Sequence, residues 1–431
     1  MTYISKIRCE VIKKYHYFCT MKCLFLNIAL ILGCMGAKAQ QIRTFVPNIV
    51  TPRLLPADEV EGLPILKLQG GEQLEFSFDD LDTNYERYVY RIEHCDQHFK
   101  PTQGLLESSY LQATENTLPI DNYVPSRNTT TNFNHYSLRL PNEDMRMLLP
   151  GNYRLSVMRE AEDADAEELE TVAESFFMVG EQRVGIQATM TTMTDADYNN
   201  RHQQLTLEVD FSTLRLSRPE EELSVYVVKN RRWDDIRRCP APTFLTGNKM
   251  KWQHCRNLIF NAGNEFRKFE TLSTEYPTMH VDHMGWNAER NSYVATLYTD
   301  EVRKNYLYDE DLTGGFIIRN TDNYDNDTES DYIDVHFCLD APLRLDCPIY
   351  VYGEWATNAD RETYRMLYNE EANLYESTIK LKQGYYNYYY DTPDDSVEGN
   401  FYQTKNEYLI LVYARPFGAR YDSLVGWKVV K

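Results

Sequence analysis

The sequence lacks a long hydrophobic run and is short of basic residues. Its main apolar stretch, residues 24–33, has about ten residues, whereas a helix needs about 20 to cross the hydrocarbon core of a bilayer. There are 45 Lys and Arg residues against 65 Asp and Glu, for a formal net charge of −20. A surface of this sign repels phosphate backbones and anionic lipid. We therefore expect neither a membrane-spanning helix nor a nucleic-acid partner.

The sequence also lacks the short motifs that carry catalysis. It contains no G-x-S-x-G, H-E-x-x-H, P-loop or dinucleotide-binding fingerprint. Two pairs of acidic residues, Asp79 with Asp80 and Asp234 with Asp235, are adjacent, so on strands their carboxylates would point to opposite faces. We predict that the protein is not an enzyme.

Cysteine is scarce, with nine residues in 431. Five of them follow residue 39, and their wide spacing gives no disulfide framework. Cys239 with Cys255 and Cys338 with Cys347 are the candidate local pairs. The alternative is that these residues and Cys95 are buried free thiols, because Cys packs as a small hydrophobe.

Residues 1–39 have the layout of an export signal. Basic residues precede the apolar stretch, and a small-x-small site follows it, so we expect cleavage after Ala39. Met21 opens a signal of normal length and is an alternative start. Lipid attachment at Cys34 is an alternative to cleavage. Removing the segment takes away six basic residues and one acidic residue, which leaves a more acidic chain.

Beyond the signal, apolar and polar residues alternate with period two in short segments bounded by Gly, Pro, Asn or Asp. This pattern predicts an all-β protein of tandem Ig-like or fibronectin-III-like β-sandwiches. Boundaries near Gly180 and in the polar stretch 319–331 divide it into three. Within that stretch, residues 325–331 (DNDTESD) are interpreted as a solvated linker. The predicted sandwiches are residues 40–180, 181–328 with long loops, and 329–431.

A cluster of metal-ligand residues occurs at His94, Cys95 and His98. The preceding residues read as a strand, on which His94 and Cys95 would point to opposite faces. A zinc site at these residues is therefore not expected, and structural packing is the preferred interpretation.

A second segment approaches the pattern of a calcium loop. Asp309, Asp311, Thr313 and Gly314 fall at loop positions 1, 3, 5 and 6, but Asn320 stands where a bidentate Glu is needed. A β-turn explains the segment better. We predict no metal and no other cofactor.

Residues 379–391 contain five tyrosines within six positions. Alternation along a strand places them on two faces. Tyr386, Tyr388 and Tyr390 share one face, which we assign to the core, and Tyr385, Asn387 and Tyr389 share the other, which is a candidate partner-contact surface.

The C-terminal part resembles the early-set Ig-like modules that bind α-glucans. The residues that match those modules are Gly353, Trp355, Gly384, Tyr386 and Tyr388. Asn358 stands where the modules have the Trp on which the sugar stacks, and Ala356 replaces their usual Asn. The resemblance therefore implies the fold, and a periplasmic or surface glycan-binding protein is kept as the alternative function.

Seven segments in order are similar to one family over almost all of the chain after the signal. They are FSFDDL (76–81), YRIEHCDQHFKP (90–101), LPNEDM (140–145), GNYRLSV (151–157), KNRRWDD (229–235), GNEFRKFE (263–270) and LKQGYYNYYY (381–390). Together they resemble the plug protein of the type IX secretion system. His98 and Phe99 depart from the family, which has a small polar residue and Trp at these two positions.

This resemblance implies a periplasmic protein associated with the outer membrane. It would bind the inner mouth of the giant β-barrel translocon and seal its pore when no substrate is being released. Sealing is a steric function that needs no reactive group, so we expect the family-motif residues to be structural. These residues are Asp79, Asp80, His94, Cys95, Trp233, Glu265, Phe266, Arg267 and Gly384.

Overall fold

A computed structural model describes residues 42–160, 169–341 and 344–431. The predicted signal, its cleavage after Ala39, the alternative start at Met21 and the lipid site at Cys34 lie outside these residues. No helix within the described ranges is long and apolar enough to cross a membrane. The five described cysteines are free thiols, so the two candidate local disulfides do not form. The alternative of buried free thiols holds for Cys95, Cys239 and Cys338, whereas Cys255 and Cys347 are partly exposed.

The fold is all-β, as the alternation predicted. The first strands are β1 Ile42–Thr44, β2 Ile49–Pro56, β3 Ile65–Lys67, β4 Leu74–Asp80, β5 Val89–Cys95, β6 Leu111–Ala113, β7 Leu118–Pro119, β8 Tyr123–Pro125, β9 Asn134–Leu140, β10 Met145–Met147, β11 Gly151–Glu160 and β12 Leu169–Gly180. There follow β13 Gly185–Thr191, β14 His202–Asp210, β15 Leu223–Lys229, β16 Arg237–Arg238, β17 Phe244–Thr246, β18 Lys249–Trp252 and β19 Ile259–Asn261.

The remaining strands complete three sandwiches. They are β20 Arg267–Glu270, β21 Val281–Asn287, β22 Ser292–Leu297, β23 Asp300–Glu301, β24 Phe316–Ile318, β25 Tyr332–Asp340, β26 Tyr350–Tyr352, β27 Leu367–Asn369, β28 Leu374–Lys382, β29 Gly384–Asp391, β30 Tyr408–Ala414 and β31 Ser423–Val430. Short helices are Glu107–Tyr110 and Pro219–Glu222, with single 3₁₀ turns at Trp233–Asp235, Arg256–Leu258, Glu354–Ala356 and Arg361–Tyr364.

In the first sandwich, the sheet β2-β4-β9-β8 packs against strands β12, β11 and β5. Its core is rich in aromatic rings because alternate strand positions point inward. The rings of Phe78 and Tyr136 stack at 5.2 Å between centroids, and those of Tyr153 and Phe177 stack at 5.4 Å. These large inward-facing rings fix the register of the sandwich, since a slip by one residue would expose them.

The middle sandwich is completed by the end of the chain. The sheet of β13, β14, β17, β18 and β19 packs against β16-β15-β30-β31. Strand β30 pairs with β15 along its whole length, from Tyr408 opposite Lys229 to Ala414 opposite Leu223. This corrects the predicted placement of these last strands in a C-terminal sandwich of residues 329–431. Whether each predicted range is a folding unit remains a prediction.

The third sandwich lies between β19 and β30 in sequence, so it is an insertion into the middle one. Its two sheets are β20-β29-β24 with β26, and β21-β22-β25-β28-β27 with β23. Its core extends from Phe269 to Val397. The core therefore begins well before residue 329, where the predicted C-terminal domain begins.

A ten-stranded sheet runs through both the first and the middle sandwich. Strand β31 joins β12 in parallel at Leu424 opposite Gly180. A Cβ atom at Gly180 would lie 2.6 Å from the ring of Trp427, a distance that real Cβ contacts do not reach. A larger residue at this position would displace the Trp427 ring, so glycine is favoured where the two sandwiches approach so closely.

Candidate functional site

A buried ion pair joins the first sandwich to the third. Asp79 lies near the end of β4, and Lys382 is the last residue of β28. The Nζ atom of Lys382 donates to Oδ2 of Asp79 at 2.5 Å, and each residue is 1% exposed. Taking two charges out of water costs several kcal/mol per ion unless close partners compensate. The pair therefore depends on the groups around it.

Those groups surround the Asp79 carboxylate. His135 Nδ1 lies 2.6 Å from Oδ1, and the Tyr332 hydroxyl donates to Oδ2 at 2.7 Å. Burial by itself would raise the pKa of Asp79, but Lys382 and His135 outweigh it and lower the pKa to about 2. Lys382 also donates to the backbone carbonyl of Asp327. We call Asp79, His135, Tyr332 and Lys382 the ionic junction.

The acidic end of the stretch 319–331 contacts the first sandwich. The Asp331 carboxylate accepts hydrogen bonds from the Thr130 N–H at 2.7 Å and from the Thr130 hydroxyl at 2.6 Å. The guanidinium of Arg53, on β2, pairs with Asp327. The interpretation of residues 325–331 as a solvated linker is thus wrong, because Asp327 and Asp331 contact the first sandwich. The carboxylates of these two residues hold two sandwiches together.

Asp80 points away from Asp79, as predicted for neighbours on a strand. It is fully buried in the first sandwich and accepts hydrogen bonds from the Tyr88 hydroxyl at 2.8 Å and the Asn48 side chain at 2.7 Å. Burial and the charge of Asp80 raise the pKa of Tyr88. The two adjacent acids therefore hold two separate structural networks and do not form a pair of catalytic carboxylates.

The core tyrosines of β29 use their hydroxyls as well as their rings. Tyr388 and Tyr390 both donate to Oδ2 of Asp300 at 2.7 Å. Arg267 reaches the other oxygen of Asp300 at 2.6 Å and Glu398 at 2.9 Å. With Tyr386, whose hydroxyl donates to the backbone carbonyl of Lys382, these tyrosines fill the core as predicted. Each buried hydroxyl has a hydrogen-bond acceptor, which explains why tyrosine rather than phenylalanine is used.

The opposite face of β29 is not an open surface. Asn387 is 0% exposed, and its side-chain carbonyl accepts a hydrogen bond from the Leu312 N–H. The ring of Phe266 packs edge-on against Tyr389 at 5.3 Å. Tyr385 and Tyr389 are half-buried. The candidate partner-contact surface of Tyr385, Asn387 and Tyr389 is therefore corrected, because a loop of the same chain covers it.

The residues that cover this face include the segment that resembled a calcium loop. Asp311 accepts hydrogen bonds from the Phe266 N–H and the Thr313 N–H, both at 2.7 Å. Asp309 accepts from Lys268 Nζ at 2.6 Å. Donors of the protein itself thus contact the oxygens that a cation would need.

Two arginines of the KNRRWDD segment contact the same region of the third sandwich. Arg232 donates to the Tyr389 hydroxyl, and its guanidinium lies 4.5 Å from the centre of the Tyr352 ring. Arg231 lies 3.4 Å from the Glu354 carboxylate. These contacts attach the middle sandwich to the third one. The tyrosine face is thus an internal interface.

The other family-motif residues are also buried. Glu265 is 2% exposed and accepts from the Tyr306 hydroxyl at 2.6 Å, while burial raises its pKa. Trp233 packs edge-on against Phe99 at 6.0 Å. At Gly384 a Cβ atom would lie 2.4 Å from the backbone oxygen of Ile317.

The His94 and Cys95 side chains have separate surroundings. The ring nitrogens of His94 lie 2.9 Å from the Thr102 hydroxyl oxygen and 3.3 Å from the Pro150 carbonyl. Cys95 is fully buried, and burial raises the pKa of its thiol to about 12. The neighbouring His98 lies on the surface side of its turn, with its ring 6.2 Å from Tyr226. The structure does not bring the three residues together.

A cleft of about 390 Å³ lies beside the ionic junction. Strand β2 forms one wall, and Trp355, Asn358 and Tyr364 belong to the other. Asn358 occupies the place of the sugar-stacking Trp in the early-set modules. Its side-chain carbonyl accepts from the Tyr364 hydroxyl at 2.8 Å, and its backbone carbonyl accepts from Thr44 N–H. The cleft therefore has no aromatic ring at the position where those modules stack the sugar.

The fold and these contacts define the class of this protein. It is an all-β protein in which buried polar contacts join three sandwiches. A family model described as "Type 9 secretion system plug protein 1st domain" matches residues 49–180. Among solved structures, this chain is similar to a hypothetical protein from Parabacteroides merdae. The two are 36% identical over 90% of this chain and 98% of that one, with a TM-score of 0.84. No curated protein matches.

The chain belongs to the type IX secretion system plug protein family. The family match covers the first sandwich, which contains Asp79 and Asp80. The prediction made from the order of the seven segments is thereby confirmed, and the chain is assigned to a family of the secretion machinery.

Proposed function

We propose that this protein is a non-catalytic periplasmic plug. It binds the inner mouth of the type IX outer-membrane β-barrel translocon and seals the pore when no substrate is being released. The observation that carries this proposal is the ionic junction, together with the continuous ten-stranded sheet. These features join three sandwiches into one body, and a body that blocks a pore by its shape must resist deformation.

The mechanism is steric and needs a difference in binding free energy between two states of the gate. A plug that binds the idle state more tightly than the secreting state occupies the pore mouth in the first and leaves it in the second. In this mechanism the buried family-motif residues maintain the shape of the protein, and residues on the surface contact the barrel. The burial of the motif residues supports this assignment of roles.

Co-purification tests the proposal. The tagged protein, expressed at its normal level, is isolated from outer membranes, and we expect a very large β-barrel to be recovered with it. A tagged periplasmic protein of similar acidity is the control for non-specific retention. Recovery of no barrel protein, or equal recovery by the control, would overturn the proposal.

Photo-crosslinking then locates the contact. Tyr324 and Phe417 are almost fully exposed and lie in different sandwiches, so a photoreactive residue at either position leaves the core intact. A crosslink to the barrel from one position and not the other would orient the plug on the pore.

Glycan binding, the alternative function, has less support. Sugar binding would need an exposed aromatic ring, but the corresponding position is Asn358, which is hydrogen-bonded to Tyr364. The rings of Tyr385 and Tyr389 are partly covered by the chain itself. A glycan array with the exported protein tests it. Binding that is lost in Tyr385→Ala or Tyr389→Ala would favour this alternative.

A further inference from the structure

Three chemically different metal ligands meet on the outer face of the third sandwich. His336 and Cys338 are two residues apart on β25, and Glu376 lies opposite Cys338 on the antiparallel strand β28. On β25, His336 and Cys338 alternate with Val335 and Phe337, which point into the core. One ligand atom from each of the three lies within 4.8 Å of the others.

The distances suit a small cation with little rearrangement. His336 Nε2 lies 3.9 Å from Oε1 of Glu376. Around tetrahedral zinc, with ligand bonds of about 2.0–2.3 Å, neighbouring ligand atoms lie roughly 3.5 Å apart. Since the three ligand atoms lie within 4.8 Å of one another, they need to approach by at most about 1.3 Å. Side-chain rotations of the ligands themselves can supply movements of this size.

Two outer groups already orient the ligands. His336 Nδ1 lies 2.9 Å from the Thr378 hydroxyl oxygen, so a proton on Nδ1 leaves the lone pair of Nε2 free. Asn369 donates to Oε2 of Glu376 at 2.9 Å, which leaves Oε1 free. Outer partners of this kind fix the orientation of metal ligands.

We infer that His336, Cys338 and Glu376 form a binding site for a divalent transition metal, with Zn²⁺ as the best match. One sulfur, one nitrogen and one oxygen ligand suit this borderline-soft ion. The thiolate and the carboxylate balance its two positive charges. Three protein ligands leave a fourth position, which water or a group of a partner can occupy. This site is independent of the proposed plug function.

The accessibility of the cluster agrees with metal entry from solvent. The side chains of His336 and Glu376 are 28% and 27% exposed, while Cys338 is buried beside them. Burial raises the pKa of the Cys338 thiol to about 11. Metal binding must therefore release the thiol proton to solvent, since only the thiolate is a strong ligand.

Cobalt provides the probe. The purified exported chain is titrated with Co²⁺ under reducing conditions, and we expect one equivalent to produce the near-ultraviolet charge-transfer absorption of a cobalt–thiolate bond. Added Zn²⁺ should then remove it. Cys338→Ser should abolish the band. His336→Gln removes a direct ligand, so it should weaken binding by more than the roughly tenfold to 100-fold that is typical for loss of an outer partner.

Matched controls lie in the same sandwich. Cys347→Ser and His283→Gln change the same residue types outside the cluster, and both should bind cobalt like the unmodified chain. Thr378→Val removes only the outer partner of His336 and should cost about tenfold to 100-fold in affinity. Thermal unfolding of each variant without metal checks that it is folded. Absence of the charge-transfer band, or a band that persists in Cys338→Ser, would overturn the site.

Discussion

Asp79 and Lys382 form a buried ion pair between the first and third sandwiches, although 303 positions separate them in sequence. His135 and Tyr332 also contact the Asp79 carboxylate, but the Lys382 ammonium group, which is buried beside it, is its partner from β28 of the third sandwich. The pair thus makes the docking of the two sandwiches a condition for satisfying both charges. This pair gives a structural role to Asp79 of the FSFDDL segment and to Lys382 of the tyrosine-rich segment.

Lys382→Met should destabilise the protein strongly. The change leaves the Asp79 carboxylate buried without its cation, and breaking a buried pair in this way costs about 3–5 kcal/mol of unfolding free energy. Urea unfolding monitored by fluorescence measures it. Lys380→Met on the same strand is the control, because the Lys380 side chain is 42% exposed and its pair with Asp334 is long, at 3.7 Å. We expect it to cost about 0–1 kcal/mol. Similar losses for both variants would contradict a special role for Lys382.

The ionic junction should also give the protein a defined sensitivity to acid. The pKa of Asp79 is lowered in the folded state to about 2, so its contribution is fully present above the unfolded-state pKa of about 4. It is lost as the pH falls through the folded-state value, and it amounts to roughly 2–3 kcal/mol. The stability advantage over Asp79→Asn should therefore narrow between about pH 5 and pH 2. If the difference in unfolding free energy between the unmodified protein and Asp79→Asn stays constant over this range, the charge of the Asp79 carboxylate does not contribute to stability.

Tyr388→Phe should cost stability although it preserves the ring. It removes a hydroxyl that donates to the Asp300 carboxylate at 2.7 Å, and hydrogen bonds to charged groups contribute about 1.5–3 kcal/mol. Because Tyr390 and Arg267 continue to bind Asp300, we expect a loss of about 1–2 kcal/mol in chemical denaturation. Tyr276→Phe, at a site that is 52% exposed, should change stability by less than about 0.5 kcal/mol. No difference between the two variants would count against the hydroxyl network.

Gly180→Ala tests the contact between the first and middle sandwiches. The added methyl group would meet the Trp427 ring at 2.6 Å, so side chains or backbone must shift at a cost of about 1–3 kcal/mol. Gly185→Ala provides the comparison, since its nearest atom would be 3.5 Å away. In thermal unfolding, the midpoint temperature should be clearly lower for Gly180→Ala and unchanged for Gly185→Ala. Equal midpoint temperatures for the two variants would mean that β12 and β31 can move apart at Gly180 without loss of stability.

The strands and their inward faces were predictable from the sequence, since period-two alternation depends only on local geometry. It placed Tyr386, Tyr388 and Tyr390 in the core correctly. It did not show that the loop at Leu312 covers Asn387. That coverage depends on contacts between residues far apart in the sequence, which no local pattern contains.

The connection between sandwiches was equally hidden. Strand β30 looks like any other buried strand, and nothing local indicates that it pairs with β15 some 180 residues earlier. One local signal was available for the metal ligands, because His336 and Cys338 are two apart on a strand and so share a face. Glu376 joins them only through the register of β25 and β28.

Permeability of the outer membrane tests the central claim most directly. In cells that lack this protein, we predict that probes too large for ordinary porins enter the periplasm through the unsealed translocon. Expression of the unmodified protein should restore the barrier, and loss of the translocon barrel should abolish the leak. An outer membrane that remains equally tight without the protein, in cells that contain the barrel, would contradict the proposed plug function.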